Sequence, residues 1–323
     1  MNNYWFITDE NDENTRLDNY LSELFDDFSR SHFQEMIKNG KILINGKIKK
    51  SSYKVKIGDK IEVELVEKEE KIISPQNIRL DIVYEDENML VVNKPSGMLT
   101  HPSEIEFENT LVNALLYKYG ENLSDINGYF RRGIVHRLDR NTSGLLMVAK
   151  NNETHEFLAE QFKPKIPVLI EGEDKGASNS RTLIKKYLAI VKGVFKEDFG
   201  TINLPIGRHP KQPHKMAVVE GGKPSVTDFK VLERFKDCTY LELDLKTGRT
   251  HQIRVHLSYM KHPILNDTLY GGGNFKVKTQ EQVLQAYKIS FTKPFSNDII
   301  ELEIEPDEKI KKVLTYLRGR GQG

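Results

Sequence analysis

The apolar positions of the chain first recur three and four apart. Leu17, Tyr20, Leu21, Leu24 and Phe25 make one apolar helical face. The spacing predicts a second helix over 31–38, capped by Ser29, with Phe33, Met36 and Ile37 inward and Gly40 as its stop. The period then drops to two. Residues 42–48 read as a hairpin turned at Asn45-Gly46, and 55–58 with the alternating 61–65 complete a small sheet. A charged stretch at 67–71, followed by Ser74-Pro75, reads as a linker. Beyond it, strands are predicted at 80–84, 89–92, 144–149, 185–193 and 241–245, and 133–136 reads as the end of another. An amphipathic helix over 153–163 stops before Pro164, and 164–181 reads as an inserted loop or hairpin. The 241–245 strand turns at Thr247-Gly248 into a second predicted strand, 250–257. There Ile253, Val255 and Leu257 alternate with Gln252, Arg254 and His256. The expected domains are 14–73 and 76–323.

Composition narrows the class. With 38% hydrophobic and 29% charged residues, the chain has the balance of a soluble globular protein. No apolar run nears the ~18 residues of a membrane span, and the N-terminus lacks the basic start and apolar stretch of a secretory signal. Cys238 is the single cysteine, so no internal disulfide is available, and a reducing cytoplasm is expected. The net charge of +1 conceals an uneven distribution. Residues 9–27 are acidic, whereas 38–60 carry eight lysines, Lys47, Lys49 and Lys50 among them, against Asp59 alone. Such a stripe either docks phosphates or is a solvated face.

Candidate chemistry centres on Asp139, a carboxylate set among His136, Arg137, Arg140, Asn141, Thr142 and Ser143 between two apolar runs. Taken alone, this is either a structural Asp–Arg turn or a carboxylate held at a cleft. The order of residues decides between them. His136-Arg137-Leu138-Asp139-Arg140-Asn141-Thr142-Ser143-Gly144 resembles the active-site signature of the RluA-type pseudouridine synthases. The resemblance implies that Asp139 is the catalytic carboxylate. It also implies an α+β fold with a mixed, largely antiparallel central sheet flanked by helices and loops. Arg16-Leu17-Asp18, Ser29-Arg30-Ser31, Gly40, Asn45-Gly46 and Gly58-Asp59 resemble the S-four-like RNA-binding domain, a small α+β module.

Further motifs carry the likeness along the chain. Lys185, Tyr187, Ala189, Val191 and Gly193 match a family strand whose tyrosine stacks on the target base, although a tyrosine on a strand can equally be core. Thr247-Gly248-Arg249 with His251-Gln252-Ile253-Arg254 and His256-Leu257 matches a motif whose arginine would hold Asp139 charged and orient it by a bidentate contact. That role is assigned to Arg254 on its strand, with Arg249 on the turn as the alternative. His136 and Arg137 are expected RNA contacts, and Arg137 can fill the space a flipped uridine vacates. Lys94-Pro95-Ser96-Gly97 with His101-Pro102 matches a motif that shapes the cleft. A basic loop follows at Arg208, His209, Lys211, His214 and Lys215. His262-Pro263-Ile264 with Asp267 and Tyr270-Gly271 completes the set, with Asn266 where the family usually has glycine.

The implied reaction detaches uracil, rotates it and rejoins it to ribose through carbon 5. It needs no redox partner or group donor, and no cofactor is expected. Nor is a metal, because on a strand His251 and His256 would point to opposite faces. Asp139 would either attack C1′ or take a ribose proton. RNA is the expected partner, ribosomal RNA of the large subunit ahead of transfer RNA, and the chain is expected to act as a monomer. Two other classes remain open: a non-catalytic RNA-binding or ribosome-assembly protein, and a sugar hydrolase, which would usually need a second carboxylate.

Overall fold

The computed structural model describes residues 2–10, 12–25, 30–65, 73–103, 106–163, 183–212, 215–273, 275–279, 281–296 and 298–320. The expected cap Ser29, the linker at 67–71, the insertion at 164–181 and the loop residue His214 lie outside them. Contacts divide the chain into two compact units, Met1–Ile72 and Ile73–Gly323. Among the described residues no helix is long and apolar enough to cross a membrane.

The N-terminal unit contains β1 (Asn2–Ile7), α1 (Leu17–Leu24), α2 (Arg30–Lys38), β2 (Ile42–Ile44) and β3 (Lys60–Leu65), with the antiparallel sheet order β1-β3-β2. Leu17 and Leu21 of α1 and Phe33 and Ile37 of α2 bury against Ile42, Ile44, Ile61 and Val63 of the sheet. β1 was not expected, and it takes the free edge of β3. The expected hairpin is cut short. Asn45 and Gly46 both turn left-handed (φ 51° and 73°), yet beyond the Ile44–Lys47 bridge the chain leaves the sheet, and β2 pairs with β3 instead. Nor do residues 55–58 form a strand, because the turn there closes on Asp59. That nearly buried carboxylate accepts Lys56 N–H, Tyr53 OH and Asn45 Nδ2 at 2.8–3.0 Å. Asp18, fully buried, is held in the same way by Arg16, Arg30 and Gln34. Both anions are spent on structure.

The larger unit contains β4 (Ile82–Glu85), β5 (Met89–Lys94), α3 (Leu111–Tyr119), β6 (Ser143–Ala149), α4 (Asn152–Phe162), β7 (Ile184–Lys192), β8 (Phe199–Asn203), β9 (Ile206–Arg208), β10 (Met216–Val218), β11 (Val226–Arg234), β12 (Cys238–Leu245), α5 (Gln252–Tyr259), β13 (Leu284–Thr292), β14 (Ile299–Glu303) and α6 (Glu308–Gly319). One sheet runs β4-β5-β6-β13-β7-β12-β11-β8, with β14 on β13. Only its β6–β13 contact is parallel, so the fold is α+β with a largely antiparallel sheet. β9 and β10 form a separate hairpin.

Two expected strands are not strands. At 133–136 only Ile134 bridges to Val148, and the chain then leaves the sheet. The stretch 250–257 is helical in α5, with residues 252–257 all buried. An alternating pattern marks a strand only when its polar members face water. Here Gln252, Arg254 and His256 are buried with partners of their own, so the pattern loses its meaning.

Register brings the important positions into one row. Gly144 of β6 pairs with Ala286 of β13, and Ala286 pairs with Tyr187 of β7. The approach is tight: a Cβ on Gly144, at φ 117°, would lie 2.0 Å from Ala286 O. Gly144→Ala is therefore expected to cost about 2–4 kcal/mol, or roughly 5–15 °C in melting temperature. Calorimetry showing wild-type melting would refute the close approach.

Candidate active site

Asp139 lies on loop 137–142, which runs outside the sheet into β6. Its carbonyls need donors from elsewhere, and the 94–100 segment supplies them. Thr100 Oγ1 donates to Leu138 O (2.9 Å), Gly97 N–H and Lys94 Nζ donate to Arg140 O (2.9 and 3.1 Å), and Ser96 Oγ donates to Asn141 O (2.8 Å). Lys309 of α6 adds a bond to Asn141 O (3.2 Å). Lys94 is fully buried, and it also donates to Pro95 O and Met98 O. Burial pulls its ammonium down to about 7, whereas the Asp139 charge and the three carbonyl acceptors favour the protonated form. The Lys94-Pro95-Ser96-Gly97 turn is thus a clamp on the Asp139 loop.

Helix α5 closes the other side. Arg254 Nη1 donates to Asp139 Oδ2 at 3.1 Å, while Nε and Nη2 make a fork on Asp267 at 2.7 and 3.0 Å. The expected bidentate contact with Asp139 therefore goes to Asp267, and Asp139 receives a single bond. Asp267 is 1% exposed, so its charge takes the fully satisfied geometry. Its Oδ1 also accepts Leu269 N–H and Tyr270 N–H (both 3.2 Å). Arg249, the alternative partner, directs its Nε to Pro224 O instead (3.3 Å). Gln252 pins the start of the helix. Its Oε1 accepts Thr247 Oγ1 and Arg249 N–H, and its Nε2 donates to Val226 O and Thr227 Oγ1.

Residues of the Asp139 loop and of α5 line a cavity of about 340 Å³, large enough for a nucleoside. Asp139, Tyr187, Arg254, His136, Arg137 and Arg249 all border it. Lys47, Lys49 and Lys50 belong to the N-terminal unit; Lys47 and Lys50 are exposed there, and Lys49 lies over the Tyr53 ring. Burial, reinforced by the nearby Asp139 charge, raises the Tyr187 phenol above its usual range, so at neutral pH it is a hydroxyl and not a base. His136 stacks on Phe162 (4.5 Å between centroids), and its Nε2 accepts Met147 N–H at 2.9 Å. That bond needs a lone pair on Nε2, so the ring is neutral. Burial first, then Lys185, push its pKa down to about 3. His136 is therefore no cationic phosphate contact.

Sequence reasoning gave no individual role to Asp267, placed Lys94 only within a turn that shapes the cleft, and weighed His251 as a metal ligand only to set that aside. His251 Nε2 lies 3.8 Å from Asp139 Oδ2, whereas His256 turns away to Thr227 and Leu204. The motif around Asp267 was the available signal. Asn266 there does take the left-handed turn (φ 62°), and its side chain bonds Val277 O and Thr279 Oγ1.

A family model described as RNA pseudouridylate synthase matches residues 88–259, and one described as S4 domain matches residues 15–61. Over 321 residues the chain is 40% identical to YlyB of Bacillus subtilis (strain 168), named an uncharacterized RNA pseudouridine synthase, covering 99% of this chain and 100% of that one. It is 36% identical over 315 residues to the ribosomal large subunit pseudouridine synthase D of Xanthomonas campestris pv. campestris, spanning 94% of this chain and 89% of the relative. The solved structure of Human RNA Pseudouridylate Synthase Domain Containing 1 matches with a TM-score of 0.53 at 25% identity, over 74% of this chain and 95% of its own.

The depressed pKa of His136 has a measurable consequence. The unfolded imidazole titrates near 6.5 and the folded one near 3, so as pH falls the unfolded chain takes up the proton first. Stability is then lost between those values, by at most about 1.4 kcal/mol per pH unit. Urea unfolding at pH 7.5 and 5.0 should show a larger loss for wild type than for His136→Gln, whose amide oxygen can still accept Met147 N–H. Equal losses would show that His136 does not titrate in this way.

Proposed function

The chain belongs to the RNA pseudouridylate synthase family, and from that membership we propose that it isomerises specific uridines of large-subunit ribosomal RNA, with Asp139 as the catalytic carboxylate. The observation that carries this reading is the placement of Asp139. It borders a cavity of nucleoside size, bonded to an arginine that is itself locked on a second carboxylate, with Tyr187 lining the same cavity.

The chemistry breaks the C1′–N1 bond, forms C1′–C5, releases the C5 proton and returns a proton to N1, so the atoms balance without a co-reactant. Attack at C1′ and removal of a ribose proton both need an ionised carboxylate held in place. Arg254 contributes to holding it by fixing one oxygen. Tyr187 presents an aromatic face and an un-ionised hydroxyl to the uracil, and stacking of one base on such a ring is worth ~1–3 kcal/mol. That offsets part of the few kcal/mol needed to extrude the nucleotide, and Arg137, exposed on the same loop, is placed to enter the gap it leaves. The pairing of Asp267 argues against a sugar hydrolase. Both of its oxygens are taken by Arg254, so it is not free to serve as a second acid.

The choice of RNA rests on the relatives named for the ribosomal large subunit and on the RNA-binding N-terminal unit with its lysines. The free thiol of Cys238 fits a cytoplasmic setting in which a single chain acts on RNA.

Asp139→Asn should lower pseudouridine formation at least about a thousandfold while leaving RNA affinity near wild type; retained turnover would remove Asp139 from the mechanism. Mapping pseudouridines in ribosomal RNA from cells with and without the gene should reveal sites lost only in the large subunit, and losses confined to transfer RNA would refute the assignment. Replacing Lys47, Lys49 and Lys50 by alanine should weaken binding and make its salt dependence shallower by up to about 2 in log–log slope. An unchanged slope would exclude this stripe as a phosphate contact.

A further inference from the structure

Helix α5 begins on a strained residue. His251 takes the left-handed conformation (φ 56°, ψ 21°), which a side chain without local compensation rarely adopts. Its ring borders the cavity, bonded at one end and facing Asp139 with the other. Nδ1 is 2.8 Å from Tyr270 Oη, and Nε2 faces Asp139 Oδ2 at 3.8 Å. Tyr270 Oη also accepts Met216 N–H at 3.0 Å, from the first residue of β10. The Tyr270 ring lies 4.9 Å from the Arg254 guanidinium.

A backbone N–H can only donate, so the phenol oxygen accepts from Met216, and His251 Nδ1 is an acceptor within reach of the phenol's own hydrogen. Nδ1 then carries the lone pair, and the neutral ring carries its hydrogen on Nε2, directed at Asp139. The charged groups around the imidazole are Asp139 and Arg137 from the loop, Arg254 from α5 and Asp267 beyond it. Burial keeps the ring below its usual pKa, with Asp139 acting in the opposite sense.

We propose that His251 is a positioning residue for Asp139: Tyr270 fixes its tautomer, so that Nε2–H becomes a second donor to the carboxylate. The proposal rests on Asp139 being catalytic. At 3.8 Å the contact is longer than a hydrogen bond; such contacts commonly tighten when substrate closes the site. Oδ2 would then be held from two directions, by Arg254 and by His251. Because Met216 anchors the phenol, the chain of bonds also ties Asp139 to the β9–β10 hairpin.

The test is a double-variant cycle read in single-turnover pseudouridine formation. Tyr270→Phe keeps the ring beside Arg254 and removes only the hydroxyl. His251→Asn keeps a residue tolerant of the left-handed backbone, with a shorter amide. Each single variant should slow the reaction about tenfold, the loss of one hydrogen bond, with RNA affinity and melting temperature close to wild type. The Tyr270→Phe deficit should shrink along the acid limb of the rate profile, because protonation of the ring restores the Nε2–H that the freed tautomer loses. Tyr270→Phe should have no further effect in the His251→Asn background. Multiplicative losses, or a wild-type rate and acid limb for Tyr270→Phe, would overturn the proposal. Asp139→Asn separates the two readings. If it remains active, the catalytic assignment fails and this inference fails with it. If it is inactive while the cycle is multiplicative, only the His251 role fails.

Discussion

The buried guanidinium of Arg254 is the constraint on which the rest of the site depends. Its side chain is 10% exposed, so its charge must be met inside the protein. One carboxylate would suffice for charge, but five donors need more acceptors than one carboxylate oxygen provides. Asp267 takes the fork and Asp139 the remaining prong. A buried ion pair of this kind gains little stability over well-packed apolar residues. What it gains here is direction, since a planar group fixed at two points leaves Asp139 Oδ2 little freedom. Asp267 is the rigid end of the arrangement, and Asp139, 19% exposed, is the open end.

The second requirement is that the loop carrying Asp139 hold still without belonging to the sheet. A strand would point alternate side chains to opposite faces and bury the carboxylate or turn it away. A loop avoids this, but leaves carbonyls to satisfy. Lys94, Ser96, Gly97 and Thr100 supply the donors from one short segment, and Lys309 supplies another from α6. The result is irregular backbone as firmly bonded as a ladder, ending where Gly144 presses on Ala286. In the catalytic role proposed for Asp139, preorganisation of this sort removes the need to arrange the carboxylate at the moment of reaction.

The same economy governs the N-terminal unit. Asp18 and Asp59 are consumed by internal donors, and of the lysines in 38–60 Lys41 and Lys60 pair with Glu64 and Glu62 of β3, while Lys47 and Lys50 are exposed. The near-zero net charge of the whole chain hides this, because acidic residues are sequestered or concentrated elsewhere in sequence.

Much of this was legible in the order of residues. The nine-residue signature around Asp139, the strand carrying Tyr187 and the helical and alternating runs of the N-terminal unit are local patterns, and local patterns survive in one dimension. The sheet class and the family followed from them. Three features did not. Residues 252–259 alternate as a strand would, yet form a helix, because their polar members are buried on partners from β11 and the turn at 267. Arg254 meets Asp139 across 115 positions; its preference over Arg249 rests on a strand that is a helix, and the fork expected on Asp139 goes to Asp267. Asp267 and His251 acquire their places only when α5 exists to bring them to the cavity. The sequence by itself determined the chemistry available, a carboxylate, a tyrosine and an arginine among fixed neighbours. Tertiary structure alone decided which charge faces which, because pairing of buried ions depends on distance in space and on the donors that burial leaves unsatisfied.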